Sequence, residues 1–117
     1  RNAVSMRFSE DTGRLYENLV FLHLSRTAKE VYYLKDVVEC DFLVRWDNGT
    51  MKAIQVCAGW NPEIKARELK GLLAAMERFR LKEGWIVTED HEGEERAGRR
   101  AIHCMPLWKF LLGLDKK

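Results

Sequence analysis

The sequence lacks several features that would assign it at once to a known class of protein. It has three cysteines, Cys40, Cys57 and Cys104, and none belongs to a Cys-x-x-Cys pair. This odd number indicates neither a disulfide framework nor a zinc cluster. No apolar run approaches the length that spans a bilayer, and no signal-peptide pattern is present. We therefore expect a protein of the reducing cytoplasm that has no membrane partner.

The chain also has little excess charge and no phosphate-binding glycine loop. Its net charge is +2, which neither favours nor excludes a nucleic-acid partner. A Walker-type glycine pattern is missing from these residues. The 117 residues suffice for one domain with a hydrophobic core. Because the chain starts at Arg1 rather than at methionine, we expect residues 1–117 to be a single domain of a longer protein.

Among the features that are present, the stretch 37–58 carries the strongest pattern. Two runs rich in β-branched and aromatic residues flank an Asp-Asn-Gly turn at 47–49, which predicts a β-hairpin. Asp41 opens the first run and Gln55 interrupts the second, and burying either group is costly unless it is paired. We interpret the two as a polar site at the sheet surface. The alternative is that Asp41 is an N-capping residue and that Gln55 is a core amide whose hydrogen bonds are satisfied within the protein.

The remaining pattern predicts an α/β domain. The predicted helices cover 13–25, 63–81 and 107–112, and the predicted strands beside the hairpin cover 31–34, 84–88 and 101–105. The charged stretch 89–100 carries two glycines and is predicted to be a loop. This order of elements predicts a mixed central β-sheet flanked by helices, in which the strand after the second helix is parallel to the hairpin strand.

The charged stretch 89–100 has an acidic and a basic half. The acidic half, 92–95, is interpreted as a solvated surface. In the basic half, Arg96, Arg99 and Arg100 are able to contact phosphate, although solvated charge is the simpler interpretation. The sequence leaves these two alternatives open.

Four oxygen-bearing side chains from separate elements are able to converge in this arrangement: Glu17, Asp41, Gln55 and Glu68. Glu17 lies on an apolar stripe of the first helix, and its alternative role is to interact with the dipole near the helix start. Glu68 lies on the second helix, where the alternative is a solvated flank beside Arg67. Oxygen ligands suit Mg²⁺, which activates water and stabilises charge on a phosphate. We therefore predict a magnesium site, with Mn²⁺ as a substitute, ligated by Glu17, Asp41 and Gln55.

Together these residues resemble the PD-(D/E)XK nuclease superfamily, in which a helix Glu, a strand Asp and a Glu or Gln bind magnesium. More closely, the chain is similar to the C-terminal domain of a family of archaeal and bacterial AAA-type ATPases. The matching stretches are 11–21, 32–34, 39–44, 54–57, 66–69, 86–90 and 105–112. The resemblance implies a restriction-endonuclease-like fold with an αβββαβ core. It also implies DNA as a partner and an attached or partner ATPase domain.

One position departs from the superfamily pattern. The lysine that activates water falls at Cys57, which cannot act as a fixed cation and whose thiol prefers softer metals than magnesium. Lys52 is an odd number of residues from Gln55 and is expected to face the other side of the sheet. The second helix offers Lys65 or Arg67 as a substitute cation, although arginine stays protonated and is a poor general base. We therefore predict that Lys65 or Glu68 assists at the site.

Three functions remain open at this point. The first is a magnesium-dependent DNA endonuclease. The second is a non-catalytic, nuclease-like module that binds DNA or a protein and directs an ATPase, and Cys57 favours this degenerate form. The third is an assembly module that uses Trp108, Phe110 and Leu111 against the ATPase or against another copy in a homo-oligomer.

Overall fold

The computed structural model describes residues 2–34 and 40–113, and of residues 2–11 it describes the backbone. Its elements are α1 (Asn2–Thr27), β1 (Glu30–Tyr33), β2 (Phe42–Arg45), β3 (Met51–Val56), α2 (Pro62–Arg78), β4 (Glu83–Thr88), β5 (Gly93–Ala97), β6 (Arg100–Pro106) and α3 (Leu107–Leu111). This confirms the predicted α/β class. The first residues of the predicted hairpin, 37–39, lie outside the described residues.

The six strands form one mixed sheet in the order β1-β2-β3-β4-β6-β5. The first three strands are antiparallel neighbours. Strand β4 is parallel to β3 and β6 is parallel to β4, whereas β5 pairs antiparallel with β6. The predicted hairpin is therefore confirmed, with Gly49 at a φ of 86° in its turn. The parallel pairing of the strand that follows the second helix is confirmed as well.

Each face of the sheet covers its own apolar core. Helix α2 packs on one face, against residues such as Leu43, Ala53 and Ile86. Helices α1 and α3 pack on the other face, where Phe42 and Ile54 are buried. The alternation of side chains along each strand thus decides which helix a residue meets.

Helix α2 begins and ends with well-formed caps. The side chain of Asn61 accepts a hydrogen bond from the Ile64 N–H at 2.8 Å, and Pro62 follows at the first helical position. The helix ends at Arg78, three residues earlier than predicted. There the Leu81 N–H donates to the Met76 carbonyl at 2.8 Å, and Arg80 takes a left-handed φ of 58°. This is the Schellman arrangement, whose left-handed residue is most often glycine.

Two predicted boundaries were wrong. Helix α1 starts at Asn2 rather than near residue 13, because nothing in 2–12 breaks the helix and one glycine, Gly13, costs only about 1 kcal/mol. The predicted loop 89–100 contains strand β5 and a turn in which Gly98 has a φ of 64°. Its charges suit an exposed edge strand, which they protect from pairing with other chains. None of the helices in the described part of the chain is both long and apolar enough to cross a membrane.

Candidate functional site

Asp41 and Gln55 meet at the point where β2 begins and β3 ends. Both are buried, with 4% and 8% of their surface exposed. The Asp41 N–H donates to the Gln55 Oε1 at 2.9 Å, and the Val56 N–H donates to the Asp41 Oδ2 at 2.8 Å. Each side chain therefore supplies an oxygen to a backbone N–H, which fits the alternative of a satisfied amide at Gln55, and the role of the two residues at a metal site stays a prediction.

Cys57, where the nuclease pattern that the sequence resembles has a lysine, lies half-buried just beyond the end of β3. Its S–H donates to the Gly59 carbonyl at 3.0 Å. Burial and, to a smaller extent, the nearby Glu68 carboxylate raise the pKa of the Cys57 thiol to about 11, whereas Arg67 opposes the shift. At neutral pH the thiol is therefore uncharged, so that it supplies neither a cation nor a thiolate to this site.

Glu68 belongs to the same end of the sheet. Its side chain is 13% exposed, while that of the neighbouring Arg67 is 69% exposed, and the two groups lie 3.6 Å apart. Glu68 also acts electrostatically on Cys57, as does Asp41. The alternative interpretation, in which Glu68 lies on the solvated side of α2, is therefore wrong. Of the two residues, only Arg67 is largely exposed to solvent.

The two lysines considered as replacement cations have other partners. Lys65 forms an ion pair with Glu95 of β5, at 2.7 Å, and both groups lie beside Cys104. Lys52 lies 3.2 Å from Glu83 and 4.1 Å from the ring centre of Trp85, on the α1 and α3 face. The expected orientation of Lys52 is thus confirmed. An auxiliary role for Lys65 at Asp41 remains a prediction.

Glu17 lies well inside α1, so its interpretation as a residue near the helix start is wrong. The neighbouring Tyr16 packs against the core beneath α1. Burial raises the pKa of Tyr16, and Glu89 and Asp90, just after β4, raise it further. This part of α1 therefore passes the C-terminal end of β4, which is the end of the sheet that holds the Asp41–Gln55 pair.

Magnesium would find hard oxygen ligands in Asp41 and Glu68. Among the side chains described in 12–34 and 40–113, however, no group of three His, Cys, Asp or Glu residues is arranged to hold a metal ion. A third ligand would have to be an amide oxygen such as that of Gln55, which already accepts from the Asp41 N–H. The ligand set Glu17, Asp41 and Gln55 therefore stays a prediction.

An aromatic pair at this end of the sheet was missed by sequence reasoning. The rings of Trp60 and His91 stack with their centres 5.1 Å apart and their planes 21° from parallel. Thr88 holds the loop after β4, because its hydroxyl accepts from the His91 N–H at 2.9 Å and donates to the His91 carbonyl at 3.0 Å. The only sequence signal was the break at Gly59-Trp60-Asn61-Pro62, which predicts a helix start but no ring contact.

The electrostatic character of this end of the sheet is acidic. Glu89 and Asp90 are exposed after β4, and they add to the Asp41 and Glu68 carboxylates at the end of β3. Arg67 is an exposed cation here, but it lies beside Glu68. A phosphate group is therefore not attracted to this surface by its fixed charges.

Comparison with known proteins places the chain in a family. Its sequence is similar to an uncharacterized protein of Methanocaldococcus jannaschii, with 34% identity over 119 aligned residues that cover 92% of this chain and 26% of that protein. The chain thus spans about a quarter of the length of that curated relative. No solved structure matches the chain. The model of a family described as a domain of unknown function, DUF4143, matches residues 12–110. Because this match covers most of the chain, the protein belongs to the DUF4143 family.

Proposed function

We propose that this domain is a nuclease-like DNA-binding module that works with an AAA-type ATPase and lacks the cation required for cleavage. The proposal rests on the uncharged thiol of Cys57. This thiol stands where the nucleases that the chain resembles have a water-activating lysine, and burial raises the pKa of the thiol to about 11. A neutral thiol that donates to the Gly59 carbonyl neither deprotonates a water molecule nor stabilises a hydroxide.

The arrangement of the elements supports the comparison with nucleases. A helix, three antiparallel strands, a crossover helix and a parallel strand follow one another in the order of the αβββαβ core. Asp41 and Gln55 lie on neighbouring strands at one end of this core, as the resembling pattern requires. A fold alone does not establish a function, so the proposal depends on the site as well.

The proposed ATPase partner is supported by the family. Domains of the DUF4143 family are often found with AAA-type ATPases. This chain contains no Walker-type loop, so any nucleotide would bind to a different domain. In the proposed arrangement the ATPase hydrolyses ATP and this domain contacts the DNA.

The direct test is a titration of a fluorescently labelled DNA duplex with the 117-residue chain, followed by fluorescence anisotropy in the presence of a chelator. We expect saturable binding in the range of about 10⁻⁴ to 10⁻⁶ M at physiological salt, which is typical of contacts with the DNA backbone. Unlabelled duplex should displace the labelled one. If the anisotropy stays at the value of free DNA up to the highest soluble concentration of protein, DNA binding is refuted.

A second candidate function, assembly with the ATPase, is favoured by one observation. Leu15, Leu22, Trp108 and Leu112, on or next to α1 and α3, are each more than half exposed. These two helices contact each other on one face of the sheet. Large exposed apolar groups of this kind are typical of protein–protein contacts. The predicted contribution of Phe110 to such a surface was wrong, because Phe110 is 1% exposed and belongs to the core.

A further inference from the structure

We propose that the end of the sheet opposite the candidate site binds the sugar–phosphate backbone of nucleic acid. This inference rests on the proposed DNA-binding function and assigns it to a different surface. The surface, called here the basic pole, consists of Arg78, Arg80, Lys82, Arg96, Arg99 and Arg100. Five of its six side chains are exposed and Arg100 is half-buried.

The register of the sheet brings these residues together from two distant parts of the sequence. The Ala101 N–H donates to the Lys82 carbonyl at 2.9 Å, which joins the start of β6 to the residue before β4. The Arg100 Nε donates to the Leu81 carbonyl at 3.2 Å. Strand β5 ends beside β6, where Ala97 pairs with Arg100. Because neighbouring strands lie about 4.8 Å apart, the three strand ends span roughly 10 Å, a distance that covers one to two phosphates.

The charge of the basic pole is not cancelled by its neighbours. Three exposed carboxylates lie among the six basic side chains. Glu94 is 3.4 Å from Arg96, Glu83 pairs with Lys52 outside the pole, and Glu77 lies on the last turn of α2. Six positive and three negative groups leave an excess of positive charge. Since the candidate site at the other end is acidic, the long-range field of the molecule directs a polyanion to the basic pole.

The backbone at Arg80 supplies a second, independent observation. Arg80 has a φ of 58°, in the left-handed region that costs a residue other than glycine about 1 kcal/mol or more. Glycine is the residue that usually ends a helix in this way. We take the strained backbone at this arginine as support for a functional role of its side chain.

The composition of the pole favours nucleic acid over an acidic protein. Five of the six basic residues are arginine, whose planar guanidinium group forms paired hydrogen bonds with phosphate oxygens. None of the large apolar side chains that are exposed in the described part of the chain belongs to the pole. Protein interfaces usually have an aromatic or apolar centre, whereas contacts with the DNA backbone do not need one.

The test compares two triple variants that lose the same charge. One variant neutralises three of the six basic side chains of the pole, with Arg80→Gln, Lys82→Gln and Arg99→Gln. The control, Arg14→Gln, Arg67→Gln and Lys70→Gln, removes three exposed charges from α1 and α2 that lie away from the basic pole. Binding of the labelled duplex is measured in chelator over a range of salt concentrations. We expect the pole variant to lose about ten-fold in affinity or more. The negative slope of its log K against log salt should become shallower by about two to three. The control should stay within about two-fold of the unaltered chain.

Each result decides a different question. If the unaltered chain does not bind the duplex, the proposed function and this inference both fail. If it binds and both triple variants lose affinity equally, only the inference fails, because binding then depends on total charge. If polyglutamate displaces the chain as well as duplex of equal charge does, the partner is an acidic protein and the nucleic-acid assignment is overturned. Circular dichroism confirms that both variants are folded.

Discussion

Hydrogen bonds from two backbone N–H groups explain how the side chains of Asp41 and Gln55 are buried beside an apolar core. Each of the two supplies an oxygen to a backbone N–H at the end of the hairpin. A buried N–H without an acceptor costs about 1 to 3 kcal/mol, whereas one that reaches water costs much less. Gln55 therefore stabilises the domain even if its side chain never contacts a ligand.

A substitution of Gln55 tests this structural role. Gln55→Met keeps the volume but leaves the Asp41 N–H without its acceptor, so we expect the free energy of unfolding to fall by about 1 to 3 kcal/mol. The control is Asn48→Ala, which removes an equivalent bond of 2.9 Å to the Thr50 N–H at an exposed turn. We expect it to cost less than about 1 kcal/mol. Urea unfolding measures both. Equal losses would show that burial of the pair is not what makes it stabilising.

The protonation state of Cys57 is a second property at the residue scale. Its pKa is raised to about 11, first by burial and then by Glu68. Since a raised pKa keeps the thiol protonated, the rate of alkylation by iodoacetamide should be slow near neutral pH and rise steadily with pH toward about 11. Removing the Glu68 charge by Glu68→Gln should shift this profile to lower pH. Mass spectrometry locates the label.

The other two thiols serve as internal controls for that experiment. Cys40 and Cys104 are 1% and 2% exposed, so they should react only when the protein opens. A Cys57 thiol that is modified rapidly near neutral pH would show that it ionises there. That result would contradict the statement that Cys57 is uncharged at neutral pH.

At the scale of elements, α2 fixes the candidate site and the basic pole at its two ends. Its first residues follow the Asp41–Gln55 end of the sheet, and Arg78 and Arg80 lie at its other end. The helix approaches the sheet closely, since a Cβ on Gly84 would lie 2.8 Å from the Met76 sulfur. The position of both surfaces therefore depends on how α2 packs against the sheet.

The helix end at Arg80 gives a prediction with opposite effects on stability and binding. Arg80→Gly removes the left-handed strain and should raise the free energy of unfolding by about 1 kcal/mol. Arg80→Ala keeps the strain and should leave the stability nearly unchanged. Both variants lose the same charge and should weaken DNA binding equally. Thermal unfolding separates the two, and a glycine variant no more stable than the alanine variant would contradict the account of strain.

Some of these elements were predictable from the sequence and others were not. The Asp-Asn-Gly turn and the cap at Asn61 are local signals, so β2, β3 and the start of α2 were predicted. Strand β5 was missed because its residues are charged and flanked by glycine, and its pairing with β6 is decided by a distant partner. The predicted order of elements indicated that Asp41 and Gln55 are able to converge, but the ion pair of Lys65 with Glu95 depends on the unpredicted strand β5.

At the scale of the whole molecule, the exposed apolar side chains on α1 and α3 bear on assembly. If they contact the ATPase, Trp108→Glu should lower the affinity of the domain for a separately produced ATPase by more than about ten-fold, because a central aromatic group is lost. Trp108 is 57% exposed, so the fold should not change. Surface plasmon resonance measures the affinity. An unchanged affinity would exclude Trp108 from the interface.

The whole molecule carries opposite charge at the two ends of its sheet. The surface proposed to bind DNA and the candidate site therefore lie at different ends. The acidic end holds Asp41, Gln55 and the neutral Cys57 thiol, while the opposite end presents arginines. In this account DNA is retained by charge and is not cut. The domain would then act by holding DNA for a partner that moves it.

The most direct test of the central claim is a cleavage assay on supercoiled plasmid with excess protein and millimolar Mg²⁺ or Mn²⁺. We expect the plasmid to be bound but to stay supercoiled, both with the unaltered chain and with Asp41→Ala. Nicked or linear plasmid that appears with the unaltered chain and not with Asp41→Ala would show a working nuclease site and contradict the account.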